Sequence, residues 1–234
     1  MKLKTILALA ASTTLFAACG GGGGDSVAAA TAPIVSTAYF PMQSSYRALV
    51  ASGYAKNFAI SGTCSGSGNK SSSPAATPAT FESVAGLSAT ATFTINFTNC
   101  TPASTAATST VYFDSNYDPR GFNTVGVNYG IYLKPLAIPT TVTVGSTGIL
   151  GTQTLYTSST KATPDGRIDL SYVVEADASS SAIVNLIAKR YNASGTLTFT
   201  EQDRYRITST GALTPTSVDI QYANGSTNHL VLTF

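Results

Sequence analysis

The chain has 234 residues with 13 basic and 11 acidic side chains, and charged residues make up only 10 % of it. Lys2 and Lys4 lie at the extreme N-terminus, so the rest balances eleven basic against eleven acidic groups and offers no basic field to attract nucleic acid. Hydrophobic residues at 43 %, alternating regularly over most of the length, exclude a largely disordered chain and suffice for a substantial core.

Lys2 and Lys4 precede an apolar run from Ile6 to Ala18, broken only by Ser12, Thr13 and Thr14, and small residues lead up to Cys19. That is the layout of a secretory signal. As a helix the run rises only about 20 Å, against about 30 Å for a bilayer core, so removal is expected rather than a permanent span. Leu15-Phe16-Ala17-Ala18-Cys19 resembles the lipobox of bacterial lipoproteins, with Phe16 where the family prefers leucine. The resemblance implies acylation of the Cys19 thiol, cleavage ahead of it, and a membrane partner reached through the acyl chains. In that family an aspartate after the cysteine commonly signals inner-membrane retention, and Gly20 at that position implies the outer membrane. Acyl chains contribute about 0.8 kcal/mol per buried CH₂, and two or more hold a protein stably. The expected organisation is a signal peptide over 1–18, a flexible Gly/Ala-rich tether over 19–36, and a β-rich domain over 37–234 with a candidate subdivision near 135–139.

Pro41 to Ser52 predicts a short helix, with Met42, Tyr46, Leu49 and Val50 on one face and Gly53 as its stop. Lys56 to Cys64 alternates, whereas Ser65 to Thr80 is rich in serine, glycine and proline and reads as a long exposed loop. Ala89 to Asn99 is the cleanest strand, with Phe93, Ile95 and Phe97 on one face and threonines on the other. Thr108–Phe113 and Thr124–Leu133 read as strands around a turn-rich Asp114–Gly121, the second presenting Val125, Val127, Tyr129, Ile131 and Leu133 together. Further strands are expected near 140–144, 149–157, 167–176, 182–192, 196–208, 216–223 and 227–234, with turns at Pro164-Asp165-Gly166 and Asn224-Gly225. Consecutive strands and short connections predict an all-β, antiparallel sandwich or partly open β-barrel of about ten strands, with one short N-terminal helix.

Setting Cys19 aside for lipid leaves Cys64 and Cys100, an even pair in an oxidising compartment and hence an expected disulfide. Cys100 has the opposite strand parity to Phe97, so the strand must bulge or end before it. The surrounding Gly62-Thr63-Cys64-Ser65-Gly66 superficially copies a nucleophile elbow but lacks the strand-turn-helix setting and a base.

Glu201 and Asp203 share parity with Leu197, Phe199, Tyr205 and Ile207, which turns two carboxylates toward an apolar face. A bulge, or a sheet-edge position beside Arg204 and Arg206, is the favoured reading; acid-base work on a sugar is the functional alternative. Asp114, Asn116 and Asp118 have the spacing of calcium ligands, yet Pro119 sits where such a loop wants glycine, so a hairpin turn is expected. His229 is the sole histidine and fits the polar face of a strand. Tyr112, Tyr117, Tyr129 and Tyr132 cluster as in sugar platforms, though strand tyrosines commonly pack half-buried. No cofactor, metal or catalytic residue is expected. The functional expectation is a lipid-anchored outer-membrane or surface module, non-catalytic, with an envelope ligand or protein as partner. Its alternatives are a hydrophobic-ligand carrier and an envelope hydrolase using Glu201 and Asp203.

Overall fold

The computed structural model describes residues 35–223 and 228–234. Cys19, the signal, the tether up to residue 34 and the Asn224-Gly225 turn lie outside the described residues. Helix α1 (Met42–Ser52) is followed by thirteen strands: β1 (Tyr54–Gly62), β2 (Gly66–Ser72), β3 (Thr77–Phe81), β4 (Val84–Phe97), β5 (Ser104–Phe113), β6 (Pro119–Thr124), β7 (Asn128–Tyr132), β8 (Thr147–Tyr156), β9 (Pro164–Ala178), β10 (Ser181–Tyr191), β11 (Leu197–Thr208), β12 (Leu213–Tyr222) and β13 (His229–Thr233). The all-β antiparallel expectation holds, and the sheet is closed. Strands β4 to β13 form a meander, β13 pairs with β1, β1 with β2, and β2 with β4, giving a barrel of twelve strands with β3 attached outside the ring to the first part of β4. Closure leaves the ring itself without an unpaired edge.

The helix forms where expected and stops at Gly53, whose φ of 66° is a conformation that favours glycine. The stretch after it departs from expectation. Ser65 to Thr80 is not a long loop, because Gly66–Ser72 pairs in full register with β1 on one side and β4 on the other. Small residues are needed there: a Cβ on Gly68 would collide with the Phe58 ring and the Thr94 carbonyl. Likewise, β6 begins inside the Asp114–Gly121 stretch read as turn, and the real β6–β7 turn falls at Val125–Val127, leaving Val125 84 % exposed. Tyr129 and Ile131 face outward beneath β3, with the Phe81 ring 4.4 Å from Tyr112 and 5.4 Å from Tyr129 between centroids. The 140–144 segment contributes a single bridge, Val142 to Phe40, instead of a strand.

The two ends of the barrel differ. At one end the turns carry Cys64, between β1 and β2, and Cys100, between β4 and β5, and these form a disulfide with Cα atoms 5.8 Å apart. The parity conflict at Cys100 resolves because β4 ends at Phe97. Above this end the lumen is filled by the buried side chains of Phe58, Ile60, Ile95, Phe97 and Phe199, and Phe58 stacks on Phe93 at 5.4 Å. At the other end α1 lies across the mouth. Gln43 donates to the Ile138 carbonyl, Arg47 pairs with Asp118 in the β5–β6 turn, and the Ala75 amide donates to the Val50 carbonyl. Strands β7 and β8, on either side of Pro135 and Pro139, pair in the same sheet.

The disulfide links turns flanking the β2–β4 seam, the only place in the ring where pairing skips a strand. Replacing both cysteines by serine should lower unfolding free energy by about 3 to 4 kcal/mol in the chain-entropy account of a 36-residue separation. Denaturant titration of the oxidised protein and the double variant measures this; equal stability would show that the crosslink leaves the seam unaffected.

Candidate functional site

Between the packed half and α1 lies a cavity of about 270 Å³. Its floor and walls are aliphatic and aromatic, including Leu150, Leu170, Val184, Leu186, Val218 and Ile220 from β8, β9, β10 and β12; its roof is Met42, Tyr46, Leu49 and Val50 of α1. The helical spacing that put these four on one face in the sequence is what aims them at the lumen.

A small polar cluster interrupts this lining. Lys70 of β2 reaches across the lumen to Asp203 of β11, with Nζ 3.1 Å from Oδ2 and 3.4 Å from Oδ1, and the Tyr205 hydroxyl donates to the same Oδ2 at 3.3 Å. The Asp203 side chain is 5 % exposed and that of Lys70 16 %. Burial works against the Lys70 ammonium, yet the Asp203 carboxylate, with Tyr54 and Glu201 nearby, holds its pKa above the ordinary lysine value. Burial pushes the phenols of Tyr46, Tyr132 and Tyr205 well above the usual tyrosine range, neighbouring Asp203 adding to the effect on Tyr205. Tyr54 shifts upward for the same reason, partly offset by Lys70. All four stay neutral phenols at physiological pH, acting as donors and acceptors instead of bases.

Glu201 and Asp203 therefore do face inward, as their parity requires. No bulge turns them out, and the register between β10 and β11 is regular through both. The favoured reading, a reset parity beside Arg204 and Arg206, is corrected: those arginines point to the outer face, where Arg204 pairs with Glu175 at 3.3 Å and Arg206 with Asp177 at 2.8 Å. The partner of Asp203 is Lys70, 133 residues away and hidden in a stretch read as loop. Its signal was available in hindsight, since Lys70 shares strand parity with Gly66 and Gly68, whose small size matches bulky residues across the β1–β2 hairpin.

The other candidates resolve on the surface. Asp114 Oδ1 accepts the Asn116 and Asp118 amides at 2.8 and 3.0 Å, and the Asp118 carboxylate is engaged by Arg47, so this is a turn that clamps the helix. His229 faces outward, its Nε2 2.9 Å from Asp219 Oδ1. The tyrosine cluster divides, with Tyr112 and Tyr129 outside and Tyr132 inside. Comparison of the chain with protein-family models, curated proteins and solved structures finds no match.

Removing one member of a buried pair leaves an uncompensated charge and costs about 3 to 5 kcal/mol. Lys70→Met should destabilise the protein by that amount, and adding Asp203→Leu should restore most of the loss. Equilibrium unfolding of the three proteins measures this; a double variant no more stable than Lys70→Met would contradict the pairing as the source.

Proposed function

We propose that this chain is a lipid-anchored envelope module that binds a small, largely apolar ligand inside its barrel and performs no chemistry on it. The observation that carries the reading is the cavity of about 270 Å³ under α1, walled mainly by aliphatic side chains and tyrosines. A fully packed barrel would have served a purely structural part equally well. The attachment rests on the lipobox resemblance: Cys19 is the acylated residue, and Gly20 after it favours the outer membrane.

The outer face of the barrel supports a body held beside the bilayer rather than within it. Lipid-spanning barrels carry an apolar outer band. Here the outward positions of β9 to β13 hold the Arg204–Glu175, Arg206–Asp177 and His229–Asp219 pairs. A hydrolase built on Glu201 and Asp203 gains support from their inward placement. Engagement of Asp203 by Lys70 and Tyr205 favours a structural part for it.

Native mass spectrometry of protein extracted from its own membrane with mild detergent is expected to show a non-covalent small-molecule adduct. Peptide mapping of the same sample should give an N-terminal fragment beginning at acylated Cys19. Bare protein in every preparation would overturn the binding reading, and an unmodified Cys19 would overturn the anchor.

A further inference from the structure

The polar groups at the cavity suggest which ligand it takes, a step that rests on the binding reading above. Buried phenol hydroxyls normally find a hydrogen-bond partner. Tyr205 has one in Asp203. Tyr46, from the helical roof, and Tyr132, from the end of β7, are half-buried and line the cavity, and neither hydroxyl has a hydrogen-bond partner among the described residues, which leaves both able to meet a ligand. Both belong to the lining of one cavity, and the charge of Tyr132 is felt at Tyr46, so they add a neutral polar spot to a lining whose charged groups are Lys70, Asp203 and Glu201.

Charge narrows the class. Lys70 and Asp203 neutralise each other, so neither offers an uncommitted counter-charge to an incoming ion. An ion entering a mainly apolar cavity gives up much of its hydration, a cost of several kcal/mol that only a dedicated opposite charge offsets. A carboxylate would also meet Asp203 and Glu201, and an ammonium would meet Lys70 and have to displace the interactions that Asp203 and Glu201 already make. A neutral group that both donates and accepts suits two phenols, which do the same. Size sets the remainder: a cavity of about 150 Å³ takes benzene, so this one suits roughly ten non-hydrogen atoms.

We infer that the cavity binds an uncharged, single-chain or small-ring amphipath whose hydroxyl is held by Tyr46 and Tyr132 while its apolar body lies against Leu150, Val184, Leu186 and Ile220. The contact belongs to the ligand's head group, so it governs selectivity among compounds of one length.

The test titrates the purified chain with 1-nonanol, nonanoate and nonylammonium by calorimetry, alongside Tyr46→Phe, Tyr132→Phe and the double variant. Loss of one net hydrogen bond corresponds to about a fivefold weakening. Nonanol is expected to bind tightest, each single variant to weaken it about fivefold, and the double variant to bring it level with the ions. Circular dichroism checks that the variants, which lose one oxygen per substitution, stay folded. Tighter binding of either ion, or nonanol binding indifferent to both substitutions, would overturn this inference while leaving the binding reading intact. Absence of binding by all three would count against the binding reading itself.

Discussion

Width is the constraint on which this structure depends. A ring of about eight strands encloses a lumen that side chains alone can fill, and rings of sixteen or more leave a water channel. Twelve strands fall between. Inward residues from opposite walls meet only where they are large, and Phe58, Phe97 and Phe199 are buried in the core without lining the cavity. Toward the other mouth Ala91 and Ser109 leave room where they line the lumen, and the wall no longer closes on itself. Helix α1 occupies part of that space, and the remainder is the cavity.

Closure also explains where the polar interactions fall. The seam between β2 and β4 interrupts the meander because β3 leaves the ring, and the Cys64–Cys100 crosslink spans the turns beside it. Within the lumen, β2 is further tied to β11 by Lys70 and Asp203, a bridge across the barrel rather than along the sheet. Such a pair contributes little net stability because desolvation offsets attraction, but it penalises any register that separates its partners. Slipping β2 by one residue would turn Lys70 outward and strand Asp203. The glycine- and serine-rich β2, weak in hydrophobic pattern, gains a register mark from this single contact.

Much of the fold was legible because alternation reports a half-buried strand without knowledge of its neighbours. The helix, the Phe93–Phe97 strand, the disulfide and the run of strands after residue 147 all followed from local pattern. What escaped was set by partners distant in sequence. Strand β2 looks like a loop because its side chains are small to accommodate Phe58, and Tyr129 looks like core because the β3 hairpin covers it from outside. The candidate site was half visible: the parity of Glu201 and Asp203 pointed inward, but inward burial of carboxylates reads as improbable until the cation that permits it is found. Lys70 lay in the segment with the least pattern. The cavity itself has no sequence signature, being the difference between the circumference of a ring and the side chains within it.

An open, mainly apolar space lies between α1 and the packed half of the lumen. Apolar cavities of this scale take up xenon. Methyl-resolved NMR of the chain under xenon pressure is the most direct measurement: saturable shifts are predicted for methyl groups of Leu150, Val184, Leu186 and Ile220, with the packed residues Ile60, Ile95 and Leu230 unaffected. Shifts absent from the first group, or distributed equally over both, would contradict a cavity beneath the helix.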